Sequence, residues 1–176
     1  LHEEIHNALR LGVNLKTGVT IGNGHGETPL SELREAYDAV LLATGCMAAT
    51  ELPLREDQKA GQVNDVANVE YGFDFLLQMH RGAEKHVGKR VAVVGAGFTA
   101  LDCARVARRL GAEEVTIHLR TTEEYIPVTK DEILESKREG VALLGLRTPV
   151  AIHNNDDGAL KSVAFVQNRL GGWRDN

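Results

Sequence analysis

The clearest pattern in the chain is Arg90-Val91-Ala92-Val93-Val94, a compact β-branched run with the composition of a buried strand. Glycines follow at 95 and 97, and then Thr99 to Leu110 carries helix-forming residues until Gly111 stops it. Glu114 to Arg120 is again strand-like, which makes a βαβ unit of about thirty residues, the length such a crossover needs. Downstream, Lys130 to Glu139 predicts a second helix, closed by Gly140. Val141 to Ile152 predicts an extended segment broken by Pro149, and Asn155-Asp156-Asp157-Gly158 predicts a hairpin turn into Leu160 to Gln167. Upstream, residues 1–11 read as an amphipathic helix with Ile5, Ala8 and Leu9 on one face. Val19 to Ile21 is a short strand at best, and Ser31 to Arg34 is a helical turn or a loop. Tyr37 to Gly45 is an apolar run ending in glycine, the pattern of a strand buried on both faces of a parallel sheet. Residues 46–67, with Pro53 and Gly61, read as a surface connection. Val69 to His80 predicts a helix with Phe73, Leu76, Leu77 and His80 on one face.

Composition narrows the classes. Acidic residues outnumber basic ones by 25 to 20, which argues against a surface built to neutralise nucleic-acid phosphates. No apolar run reaches the length of a membrane span, and no signal-peptide pattern opens the chain. Its first residue is Leu, so it reads as an excised or processed piece. The two cysteines, Cys46 and Cys103, form neither a C-x-x-C pair nor a disulfide framework, and a reducing, cytoplasmic location is expected.

Gly95-Ala96-Gly97-Phe98-Thr99-Ala100 has the form G-x-G-x-x-A, a weak pattern alone. Its place directly after a strand and at the start of a helix is the context that gives it meaning. Gly95 permits the tight turn, Gly97 lets a pyrophosphate approach the backbone, and Ala100 allows close packing of helix on strand. The N–H groups of Phe98 to Leu101 are expected to face the phosphates at the positive end of the helix dipole. The competing possibility is a glycine turn that only packs a helix.

The residue ending the second strand discriminates between nicotinamide cofactors. An acid there holds the ribose 2′-hydroxyl of NAD, whereas an arginine favours the 2′-phosphate of NADP. This chain has Arg120, followed by Thr121 and Thr122, and no acid. NADP is therefore favoured, with NAD as the alternative and a solvated strand-end arginine as the bland one.

Val93 to Arg105 (Val-Val-Gly-Ala-Gly-Phe-Thr-Ala-Leu-Asp-Cys-Ala-Arg) and Arg109 to Ile117 resemble the NADPH-binding domain of the glutamate synthase small (beta) subunit family of flavoproteins. Pro127, Glu139-Gly140-Val141 and Thr148-Pro149-Val150 continue the likeness. Tyr37 to Gly45 resembles the strand closing the first part of that family's FAD domain. The resemblance implies an α/β fold, a three-layer Rossmann-type NAD(P)-binding domain with a parallel sheet, joined to a piece of an FAD domain. Residues 1–45 would be part of the FAD domain, 46–87 a connecting segment, and 88–176 the NAD(P)-binding domain, truncated at its C-terminal end. Thr44 and Gly45 would contact FAD in the full-length protein, and Arg120 and Thr121 the nicotinamide nucleotide. Hydride would pass from nicotinamide to flavin, and electrons would leave through iron–sulfur clusters or a partner subunit. The cofactors carry the redox chemistry, so no side chain here need be a catalytic acid or base. Two departures stand out: the family places two consecutive arginines after the second strand, and the second is Thr121 here; and the family's N-terminal flavin fingerprint is absent.

Other signals carry less. His2-Glu3-Glu4-Ile5-His6 matches H-E-x-x-H but lacks a third ligand, and Leu9 stands where the longer zinc motif needs glycine. Gly88-Lys89-Arg90 lacks the Ser or Thr of an ATPase phosphate loop and precedes its strand. Cys46 and Cys103 read as small packing residues, Asp102 as a helix-dipole partner, and Arg105, Arg108 and Arg109 as one solvated helix face. A rival from another class is a non-catalytic nucleotide-binding or subunit-assembly module on the same fold.

Overall fold

The computed structural model describes residues 2–45, 52, 54 and 66–171. Cys46 and most of the connecting segment lie outside these residues. The chain divides into two units, residues 1–45 and 46–176.

The first unit contains α1 (His2–Arg10) and α2 (Leu30–Ala36), with a single bridge between Ile21 and Thr28. The buried strand expected over Tyr37 to Gly45 does not form: Leu41 is 90% exposed and Leu42 65%. An apolar run becomes a buried strand only when neighbouring strands satisfy its backbone and cover its side chains. No strand among the described residues of this unit pairs with it.

The second unit begins, in its described part, with α3 (Gly72–His80), three residues later than expected, followed by β1 (Arg90–Val94) and α4 (Phe98–Arg109). Next come β2 (Glu114–His118), a single 3-10 turn at Glu123–Tyr125, α5 (Lys130–Arg138) and β3 (Val141–Leu144). The three strands form a parallel sheet in the order β1-β2-β3, with Val91 opposite Val115 and Val94 opposite His118. Helices α4 and α5 pack on one face. There Leu101, Ala104, Ile117 and Leu119, all fully buried, form the core with Val115, Ile133 and Val141. Small residues let α4 approach: Ala100, Ala104 and Ala107 are all buried beneath it.

Val141 to Ile152 is two strands, not one. β3 ends at Leu144, and after Gly145 and Leu146 the chain starts β4 (Arg147–Asn154) in a separate antiparallel pair with β5 (Leu160–Gln167). Gly145 passes so close to the β2 end that a Cβ on it would lie 2.9 Å from the Thr121 carbonyl oxygen. Pro149 does not break β4; it lies fully buried opposite Phe165, beside a bulge that accommodates its missing N–H. The hairpin meets the sheet on the face away from the helices, where Phe165 stacks on His118 with ring centres 4.2 Å apart. Elsewhere on that face Val94 and Leu144 are partly exposed, at 38% and 45%.

Two packing expectations change. On α3 the buried residue is Phe75, and His80 is exposed. The helix turns Gly72 and Phe75 inward because Gly72 abuts α4, where a Cβ would come within 2.9 Å of the Cys103 sulfur. Burial pushes the Cys103 thiol up to about 12, with Asp102 and Glu70 adding to the effect, so it is a packed thiol and no nucleophile. Of the α4 arginines only Arg109, 63% exposed, is a solvated residue; Arg105 and Arg108 are partly buried. Arg105 donates to Glu139 at 2.6 and 2.8 Å, Arg109 donates to the same carboxylate at 3.1 Å, and Arg108 caps the carbonyls of Ala112, Glu113 and Glu139. They tie α4 to the end of α5.

The hydrogen bonds from Arg105 hold the Glu139 carboxyl below its ordinary value. A depressed carboxylate stabilises the fold above its unfolded value, and that contribution is lost as pH falls through the folded one. The Glu139 contribution to thermal stability should therefore be constant from neutral pH down to the ordinary glutamate range and be lost below it. Glu139→Gln should lower the melting temperature at pH 7 and flatten the acid limb. An unchanged acid limb in the variant would remove Glu139 from the explanation.

Candidate nucleotide-binding site

Where β1 ends, the chain must reverse to lay α4 over the sheet. Gly95 makes the turn at φ 156°, a conformation L side chains rarely adopt, and a Cβ there would sit 3.1 Å from the Cβ of Ala100. The close approach needs both the missing side chain at 95 and the smallest one at 100. The Gly95 N–H donates to the His118 carbonyl at 3.2 Å, which fastens the turn to the end of β2.

Gly97 differs. It is the N-cap of α4 at φ −96°, ψ 177°, an extended backbone open to any residue, and a Cβ on it would meet nothing within 4 Å. Among the described residues, nothing in the packing demands glycine here. A Ser, Asp or Asn would cap the helix by accepting a first-turn N–H, yet no side chain caps it. The space above the turn is open and its donors are left available.

Those donors are fewer than the sequence implies. Ala100 and Leu101 both donate to the Gly97 carbonyl, at 3.0 and 3.4 Å. The N–H groups of Phe98 and Thr99 have no acceptor earlier in the helix. Both residues are exposed, and the first turn carries no acid to cancel its positive potential. Asp102 lies beyond that turn. Ala96 is half-buried against the core cluster and lends only backbone to the turn.

Because Val94 and His118 are register partners, the glycine turn and Arg120 leave neighbouring strands at the same carboxyl edge of the sheet. Strand β2 stops at His118; Leu119 plugs into the core, and Arg120 is exposed. Its guanidinium makes no hydrogen bond or ion pair with the described residues, while its backbone is held. The Arg120 carbonyl accepts from the Asn168 side chain at 2.8 Å. The Leu119 carbonyl accepts from the Arg147 N–H at 2.7 Å, and the Thr121 carbonyl from the Leu146 N–H at 2.9 Å. Thr121 is half-buried. Burial, and then the Arg147 charge, lower the His118 pKa and so favour the neutral imidazole beside this edge. The residues that hold this loop, at 144–148 and 168, carry no local signal for the task, being separated from it by 24 residues or more of sequence. Thr44 and Gly45 belong to the other unit, where both are exposed and Gly45 takes a left-handed φ of 73°.

A family model described as pyridine nucleotide-disulphide oxidoreductase matches residues 3–169. Among curated proteins, the NADPH-Fe(3+) oxidoreductase subunit beta of Geobacter sulfurreducens is 30% identical over 97% of this chain and 24% of its own length. The small chain of glutamate synthase [NADPH] from Halomonas elongata is 35% identical over 92% of this chain and 34% of its own. The NADP(+)-dependent formate dehydrogenase subunit beta of Moorella thermoacetica is 32% identical over 96% and 22%. The chain spans about a quarter to a third of the length of these relatives. A parallel sheet, a glycine turn leading into a helix, and a match across nearly the whole sequence agree, and the chain belongs to the pyridine nucleotide-disulphide oxidoreductase family.

Proposed function

We propose that this chain is the nicotinamide-nucleotide-binding part of a flavin-dependent oxidoreductase that takes NADPH in preference to NADH. The observation that carries the proposal is Gly97: a residue whose missing side chain makes room for no neighbour among the described residues, at the uncapped N-terminus of a twelve-residue helix. Space and uncommitted donors at a helix N-terminus match a pyrophosphate. Gly95 and Ala100 hold the turn, Ala96 and Gly97 line it with backbone, and Phe98 and Thr99 donate to the phosphates. Arg120 would take the 2′-phosphate, with Thr121 beside it. When both dinucleotides are bound, the chemistry they supply is hydride transfer from nicotinamide to flavin. The residues of this chain bind and orient, and none is assigned a proton transfer.

In this reading, residues 1–45 are part of an FAD domain that Thr44 and Gly45 help to line, 46–87 connect, and 88–176 form the nicotinamide domain. The division of the chain after Gly45 supports the first of these boundaries, while 46–87 fall in the same unit as 88–176. Electrons would go on to iron–sulfur clusters or a partner subunit; relatives named as subunits or small chains of NADPH and NADP(+) enzymes support the partner subunit. No helix among the described residues is long and apolar enough to cross a membrane. A cytoplasmic location fits a chain whose two cysteines form no disulfide framework.

Two measurements test the proposal. Anaerobic mixing of the intact flavoprotein with NADPH should bleach the flavin absorbance, and a persistent oxidised spectrum would count for a non-catalytic module. Arg120→Ala should remove a charge-assisted contact of about 1.5–3 kcal/mol, weakening NADPH roughly ten- to a hundredfold while leaving NADH unchanged. Calorimetric titration with each cofactor gives both numbers, and equal losses would sink the role of Arg120.

A further inference from the structure

Arg120 leaves the sheet two residues beyond the end of β2, in a loop without regular structure. A long exposed side chain on such a loop loses much freedom when it grips an anion, and that loss weakens binding. The loop is nevertheless tied down, and the residue that ties it lies 48 positions along the chain. Asn168, directly after β5, donates through its side-chain nitrogen to the Arg120 carbonyl and to the Thr148 hydroxyl, each at 2.8 Å. Its own backbone N–H donates to the Leu146 carbonyl at 2.8 Å. One side chain and one amide thus join the end of β5, the start of β4 and the peptide plane that carries Arg120. Asn168 is half-buried between the exposed Gln167 and Arg169, so it is turned toward the loop while its neighbours face water.

We infer that Asn168 is a positioning residue for cofactor selection: by fixing the Arg120 carbonyl it sets where the guanidinium starts, and so how well it meets a 2′-phosphate. The inference rests on the assignment of Arg120 to that phosphate. Asn168 touches no cofactor. Its effect should appear only for a cofactor bearing the phosphate, and only while Arg120 is present. A side chain that merely stabilised the hairpin would weaken NADP+ and NAD+ alike.

The test is a double-mutant cycle on the intact protein, measuring the dissociation constants of NADP+ and NAD+ by calorimetry for the wild type, Asn168→Ala, Arg120→Ala and the double variant. Asn168→Ala should cut the preference for NADP+ over NAD+ roughly three- to tenfold. In the Arg120→Ala background it should change the preference no further. Thr148→Val, which removes the other acceptor of the same amide and none of the hydrogen bonds made directly to the Arg120 loop, should shift the preference in the same direction by a smaller factor. It also provides the readout if Asn168→Ala does not fold. If Arg120→Ala is selective while Asn168→Ala or Thr148→Val leaves the preference unchanged, the inference falls and the phosphate assignment stands. An Asn168 effect of equal size in both backgrounds overturns it in the same way. If Arg120→Ala itself leaves the preference unchanged, the phosphate assignment fails and takes the inference with it.

Discussion

Gly97→Asp should weaken NADP+ binding by at least about a hundredfold and leave the fold intact. The two halves of that expectation come from different observations. A Cβ at 97 meets nothing within 4 Å and the backbone there is extended, so the substitution strains nothing. Aspartate is also a good N-cap, and its carboxylate would accept from the first-turn N–H groups and sit well against the helix dipole. Melting temperature should hold or rise. The same carboxylate would occupy the place proposed for the pyrophosphate and take its donors, and like charges set against each other cost several kcal/mol. Because each 1.4 kcal/mol is about tenfold, a hundredfold loss is the modest end. Calorimetry for affinity and thermal melting for stability check both halves. A variant that binds normally would show that the pyrophosphate does not pass over residue 97.

Ile117→Ala should lower the stability of the second unit by about 2–5 kcal/mol, the usual cost of emptying a fully buried aliphatic site. Ile117 has no exposed surface, sits mid-strand between Val93 and Leu143, and faces the helices. Relaxation into the space is limited, because strands lie on both sides of it in register and Leu101 and Ala104 of α4 are themselves fully buried. Denaturant unfolding should show a lower midpoint, and nucleotide affinity should fall much less than stability wherever the protein remains folded. A cost below about 1 kcal/mol would mean that this core is looser than its burial shows.

The nucleotide-binding frame was readable because each of its parts has a local cause. Alternating burial of Val91 and Val93, glycine at the tight turn, alanines along one side of α4 and glycine at 111 are short-range requirements written within some twenty residues. The Asn155 to Gly158 turn was legible for the same reason and closes the β4–β5 pair. Where the outcome depended on distant partners, local pattern misled. Tyr37 to Gly45 has the composition of a buried strand and is exposed, since a strand needs neighbours as well as apolar residues. Arg105 looks like surface charge until Glu139, 34 residues away, is folded against it. Asn168 gives no hint that it holds Arg120.

By itself, then, the order of residues determined the βαβ unit, its glycine turn and the arginine at the second strand's end, because torsional freedom, side-chain size and alternation act between near neighbours. Tertiary structure alone decided which N–H groups stay uncommitted, what stacks on His118 at the end of the second strand and what anchors the Arg120 loop. Those are matters of which distant backbone and side-chain groups meet, and hydrogen bonds and burial between them exist only once the chain has closed on itself.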